Sequence, residues 1–156
     1  MDVSPEVWII VAQGVVVRSA TIDDLDFVSQ DGHISREVVR DKVGRTEVVV
    51  ATLDGREIGY ARVEFLWSVV PYLSLIWVLE SDRRQGAGEA ILAHLESRFE
   101  AEGHSALFSS SQADEPEPQA WHRHMGFEEC GFIGGINGGG VGEVFFRKVL
   151  SCKRAT

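Results

Sequence analysis

The stretch Asp82-Arg83-Arg84-Gln85-Gly86-Ala87-Gly88-Glu89-Ala90-Ile91-Leu92 places two arginines, a glutamine and two glycines between a strand-like run, Leu73 to Glu80, and a helical pattern. Helices usually open on Ser, Thr, Asp or Asn; this one opens on bare backbone. Free N–H groups at a helix start attract anions. Glycine lets a diphosphate reach the main chain with no Cβ in the way, and Arg83 and Arg84 add positive charge. The chemistry implied is a pyrophosphate held by main-chain amides. A Walker loop is excluded because no Gly-Lys-Ser/Thr closes the stretch, and a dinucleotide fingerprint needs a third glycine where Ile91 stands. Coenzyme A is the carrier that remains.

Such a loop needs a strand before it and a helix after it. Pro71 to Leu79 reads as the strand; Ile91, Leu92, Leu95 and Phe99 form the apolar stripe of the helix, which Gly103 ends. Upstream, Val15 to Arg18 predicts a strand. Thr21 predicts a helix cap with Asp23 and Asp24 in the first turn, and Ser35 to Val43 a second helix. Asp54-Gly55 predicts a tight hairpin turn. After it, Gly59, Ala61, Val63, Phe65 and Trp67 alternate with Ile58, Tyr60, Arg62 and Glu64, the period of a strand. Downstream, Ala106 to Ser110 predicts a strand, and Gln119 to Met125 a helix introduced by Pro116 and Pro118. Phe127 to Ile136 and Glu143 to Val149 predict two last strands. The glycine-rich piece between them leads into a strand and lacks Lys-Ser/Thr, so Asn137-Gly138 is read as a hairpin turn, not a phosphate loop. The fold class expected is mixed α/β in a single domain over 1–156. Its core runs 14–150, and 1–13, with the apolar Val7 to Val11, forms an extension or an extra strand.

These residues also carry a resemblance. Val78 followed by Arg83-Arg84-Gln85-Gly86-Ala87-Gly88 resembles the Arg/Gln-x-x-Gly-x-Gly/Ala signature of the GNAT N-acetyltransferase superfamily. Ala120-Trp121-His122-Arg123-His124-Met125-Gly126-Phe127 is similar to its closing helix and the Gly-Phe that follows. The resemblance spans about Val15 to Val149. It implies a mostly antiparallel sheet of six to seven strands flanked by about four helices, with a splayed strand pair at the acyl-CoA site. It also implies a site in which the amides of Gln85, Gly86, Ala87, Gly88 and Glu89, beside Arg83 and Arg84, hold acetyl-CoA as cosubstrate. Val78 and Leu79 would meet the pantetheine arm, with an N–H near Val78 polarising the thioester carbonyl. Where the family often has a tyrosine as acid this chain has His122, which could donate a proton near neutrality or merely pack. Glu64 and Glu80 are both candidates for the base. Tyr72 is a further polar group on the acceptor side, while Trp67 and Trp77 are expected in the core or in an acceptor wall.

The function expected is direct acetyl transfer to a primary amine in a ternary complex; an acyl-CoA-binding sensor without catalysis is the alternative. Neither motif contains a cysteine, so no acetyl-enzyme is expected. Asp23, Asp24, Asp26 and Asp31 gather where the acceptor pocket is expected, which suits a polyamine, an aminoglycoside or a lysine-bearing or N-terminal peptide. The 156 residues are 44% hydrophobic and 25% charged, an ordinary globular composition. The net charge of −9 argues against nucleic acid and anionic membrane as partners. Cys130 and Cys152 form no disulfide framework, no metal-ligand spacing occurs, and 1–13 lacks the pattern of a secretory signal. A cytoplasmic location and a homodimer through a sheet edge complete the expectations.

Overall fold

The computed structural model describes residues 14–151, so the expected strand at Val7 to Val11 lies outside the described residues. The chain runs through β1 (Val15–Ser19), a 3-10 turn (Ile22–Asp24), α1 (Leu25–Val28), α2 (Arg36–Gly44), β2 (Val48–Leu53), β3 (Arg56–Leu66) and β4 (Val70–Val78). A second 3-10 turn (Glu80–Asp82) leads to α3 (Ala87–Ala101), β5 (Ala106–Gln112), α4 (Pro116–His124), β6 (Glu128–Ile133) and β7 (Glu143–Val149). The strands form a mostly antiparallel seven-stranded sheet in the order β1-β2-β3-β4-β5-β7-β6. The parallel pair is β4 with β5, in register at Tyr72–Phe108 and Leu73–Ser109.

The described chain divides into two compact units, neither continuous in sequence: one within Met1–Arg62 with Leu75–Leu95, the other within Val63–Ser74 with Glu96–Thr156. In the first unit Leu25, Val28, Val39, Val43, Val48, Val50 and Tyr60 form one buried cluster, with Ile34, Leu75 and Trp77 packed on it. Ser35 caps α2, its Oγ accepting from Val38 N–H at 3.3 Å. Asp54 and Gly55 make the expected turn, with φ of 51° and 76°, and Leu53 pairs with Arg56 across it. Ile91, Leu92, Leu95 and Phe99 are all buried, so the helical stripe of α3 is the one predicted.

Several expectations change. The helix predicted after Thr21 is a 3-10 turn followed by a single α-turn. There Thr21 N–H donates to Asp24 Oδ2 at 2.8 Å. Ile58 to Val63 is buried residue after residue, because both faces of β3 are covered there. Trp67 continues the alternation in sequence but not in structure. The chain turns at Trp67 and Ser68, with φ of 51° and 66°, and the Trp67 side chain is 86% exposed, so it is not a core residue. The helix expected from Gln119 begins at Pro116, with proline in its first turn. Asn137-Gly138 is not a two-residue turn. The last pair before the loop is Ile133–Glu143, and the loop folds on itself through Asn137 N–H to Val141 O at 3.0 Å and Gly140 N–H to Asn137 O at 3.2 Å.

Candidate active site

In the first unit, the predicted anion loop is built on one buried carboxylate. Asp82 is 2% exposed and receives both ends of the Arg56 guanidinium, Nη1 to Oδ2 at 2.9 Å and Nη2 to Oδ1 at 2.7 Å. Ser81 Oγ adds a bond at 3.1 Å. The Arg56 bonds hold the Asp82 carboxyl below its ordinary range. From this anchor the chain passes through Arg84 at φ 66° and Gly86 at φ 84°. A left-handed arginine costs about 1–2 kcal/mol, so the surrounding bonds must impose it. The first bond of α3 runs from Ala90 N–H to Gly86 O at 2.9 Å. The N–H groups from Gly86 to Glu89 therefore have no helical acceptor. Arg83, Arg84, Gln85 and Glu89 are exposed, whereas Ala87 is buried. The loop thus offers a row of amide donors beside two solvent-facing arginines, which fits a bound diphosphate.

The end of β4 is held close to β3. Leu79 N–H donates to Ile58 O at 2.9 Å, so it is not available to a ligand. Strand groups alternate in direction, so Val78 N–H points away from β3, as the predicted carbonyl donor must. A Cβ on Gly59 would lie 2.7 Å from Trp77 O. Glycine is therefore what allows this approach. Trp77 stacks on Tyr60, with ring centroids 6.4 Å apart, as a core residue should. Glu80 is exposed and opens the 3-10 turn.

The four aspartates do not form an open acidic patch. Asp31 is fully engaged, taking Arg62 Nη1 and Nη2 at 2.7 Å each and Tyr60 Oη–H at 2.6 Å. Burial alone would raise the Asp31 carboxyl, but the bonds from Arg62, Tyr60 and the His33 N–H outweigh it and hold it well below the ordinary range. Asp24 is paired with Arg18 through two bonds, at 2.6 and 2.8 Å, and Asp26 with Arg36. Three of the four charges are thus balanced by arginine, so the cluster is no argument for a cationic acceptor.

In the second unit, His122 is 4% exposed and lies parallel to the Phe146 ring at 4.7 Å. Its Nδ1 faces the Pro118 carbonyl at 2.7 Å. A carbonyl only accepts, so Nδ1 carries the proton. Nε2 faces Ser109 Oγ at 2.7 Å, and the Ser109 hydroxyl also donates to Leu73 O at 3.1 Å. Burial lowers the His122 pKa and so favours the neutral ring. Both nitrogens of the predicted acid are therefore committed to protein groups.

Ser110 and Glu143, which no sequence motif marks, meet Tyr72 on the other face of β5. Ser110 follows Ser109 and so points to the opposite side. It bonds to the Tyr72 hydroxyl and to Glu143 Oε1 at 2.7 Å, and Asn137 Nδ2 donates to Glu143 Oε2 at 2.7 Å. Phe145, stacked on Tyr72 at 6.1 Å, lies on the same side. Glu64, the predicted base, is exposed on β3, and its charge acts on the Tyr72 hydroxyl. Nothing local in the sequence links Tyr72, Ser110 and Glu143; only the pairing of β4, β5 and β7 does.

A profile of the acetyltransferase (GNAT) domain matches residues 44–129. No curated protein matches the chain. Among solved structures, Ard1 from Thermoplasma volcanium is similar with a TM-score of 0.78 at 15% identity, covering 88% of this chain and 98% of that one. The ribosomal-protein-S18-alanine N-acetyltransferase from Escherichia coli is similar with a TM-score of 0.73 at 21% identity, covering 88% and 94%. A Bacillus anthracis structure described as a streptothricin acetyltransferase, in complex with acetyl coenzyme A, has a TM-score of 0.61 at 16% identity, covering 66% and 61%. These likenesses show the fold, the profile covers more than half of the chain, and the protein belongs to the GNAT acetyltransferase family.

Proposed function

We propose that the protein transfers an acetyl group from acetyl-CoA to a primary amine by direct attack in a ternary complex. The observation that carries this reading is the loop from Asp82 to Glu89. It combines an ion-pair anchor on the buried Asp82 carboxylate, left-handed Arg84 and Gly86, and free amides opening α3. Acetyl-CoA supplies a thioester whose carbonyl oxygen gains negative charge under attack and whose thiolate leaves. The amides from Gly86 to Glu89 bind the diphosphate, and Arg83 and Arg84 compensate its charge. Val78 N–H, directed away from β3, is the donor to the carbonyl oxygen. We assign no acid role to His122, whose nitrogens are engaged by Pro118 and Ser109.

A second reading, an acyl-CoA sensor without turnover, draws on that same sealing of His122. Calorimetric titration with acetyl-CoA, followed by thiol release with primary amines, separates the two. Saturable binding with turnover is the expected result. Binding without turnover on spermidine, benzylamine or an alanine-initiated peptide would favour the sensor. No binding would mean that the loop is only a helix start.

A further inference from the structure

The hydrogen bonds around His122, all within the second unit, outnumber the protons that a neutral ring leaves for them. Nδ1 lies 2.7 Å from Pro118 O, and a carbonyl only accepts, so Nδ1 carries a proton. Ser109 Oγ lies 2.7 Å from Nε2 and 3.1 Å from Leu73 O. In the neutral ring Nε2 is a bare acceptor. Ser109 then has one proton for two acceptors, and one of the two bonds is lost. A proton on Nε2 removes the conflict. The imidazolium donates from Nδ1 to Pro118 O and from Nε2 to Ser109 Oγ, and Ser109 donates onward to Leu73 O. The donors then run in one direction, from α4 through β5 to β4. The place of Leu73 in the sheet gives the last bond its weight. β4 and β5 are in register at two pairs, Tyr72–Phe108 and Leu73–Ser109, so one added bond is a large part of that junction.

We propose that His122 and Ser109 form an acid-operated clamp on the β4–β5 junction. A proton taken from solvent by Nε2 turns the Ser109 hydroxyl from the ring to Leu73 O, and its loss turns the hydroxyl back. The ring is seated for this. It stacks on Phe146 at 4.7 Å, with Trp121 and Phe127 edge-on at 5.1 and 5.3 Å. β5 and β4 face it with the Ser109 hydroxyl and, behind that, the Leu73 carbonyl. The charges on the surrounding elements are Glu143 and Lys148 on β7, Arg123 on α4, Glu129 on β6 and Glu96 on α3. Lys148 pairs with Glu96, and Arg123 with Glu129 at 3.5 Å. The Glu143 charge favours the imidazolium, while burial opposes it more strongly and brings the titration below the ordinary 6.5. A folded pKa below the unfolded one means that His122 withdraws stability from the whole fold as pH falls through 6.5. The clamp acts in the opposite sense: the same proton ties β4 to β5. It is independent of the acetyltransferase reading.

The test is heteronuclear NMR of the full chain from about pH 7.5 to about pH 4.5, a range that spans ordinary histidine titration. The ring nitrogens report the proton. The Leu73 carbonyl carbon and the Ser74 amide nitrogen report the bond to Leu73 O. In the wild type, Nε2 should titrate below 6.5 with the fold intact, and both reporters should move with the same midpoint. In Ser109→Ala the ring should titrate at lower pH, because its cation has lost an acceptor, and the reporters should no longer follow it. In His122→Phe the reporters should stay flat, which separates the ring from the titration of Glu143. Reporters that stay flat while the wild-type ring titrates would overturn the clamp. So would reporters that move alike in either variant, or a ring that takes no proton before the fold is lost. If Ser109→Ala does not fold, the wild type and His122→Phe decide the matter.

Discussion

Glu57 shows how much a single side chain can hide in an unremarkable position. It lies on β3 beside Asp24, which Arg18 already holds as a carboxylate. Burial, then the hydrogen bond to Asp24 and the Asp24 charge, push the Glu57 carboxyl up to about 7. Its folded pKa exceeds the ordinary value of 4.5. The stabilisation from its proton is therefore complete below that ordinary value and is lost as pH rises through about 7. Glu57→Gln should flatten the fall in Tm that the wild type shows over this window; an unchanged slope in a pH series of thermal melts would refute it. None of this was legible beforehand. An ion pair such as Arg18–Asp24 is close in sequence, but its effect on Glu57 depends on burial, which no local pattern reports. The same holds for Asp31 and Arg62, whose pairing turned an apparent acidic patch into a balanced one.

Among the elements, α2, α3 and the first hairpin were readable because their signals are local. Ile91, Leu92, Leu95 and Phe99 keep helical spacing and are all buried, and Asp54-Gly55 makes its turn where expected. The β3–β4 turn was not readable. Apolar alternation runs straight through Trp67, and neither Trp67 nor Ser68 is a usual left-handed residue. Gly59 gives the clearest element-level prediction. Its missing Cβ allows β3 to lie against Trp77 O, at the end of β4 that carries Val78. Gly59→Ala forces backbone apart and should destabilise the protein by about 1–3 kcal/mol, the usual range for overpacking. It should also weaken acetyl-CoA binding. Chemical denaturation and calorimetry on the same variant check both; an unchanged protein would mean that the strands yield freely.

For the molecule as a whole, the strand-to-helix junction from Asp82 to Glu89 was visible from the sequence while the cluster of Tyr72, Ser110 and Glu143 was not. The loop is one contiguous stretch, whereas Tyr72, Ser110 and Glu143 meet only through the β4, β5 and β7 pairings. The net charge of −9 likewise conceals a loop whose two arginines, Arg83 and Arg84, face solvent. Acetyl-CoA at about 100 times its Kd should stabilise the folded state by about 2.7 kcal/mol. For a chain of this size that raises Tm by about 5–10 °C; a Tm that ignores acetyl-CoA but responds to other ligands would contradict the binding site. The Arg56–Asp82 pair carries a kinetic consequence as well. It fastens the start of the anion loop to the first residue of β3, beside the hairpin turn. Opening the loop therefore requires releasing the hairpin, and the two should exchange their amide hydrogens as one cooperative unit. In Asp82→Asn that unit should separate, with the amides of Gly86 to Glu89 exchanging first while β2 and β3 keep their protection.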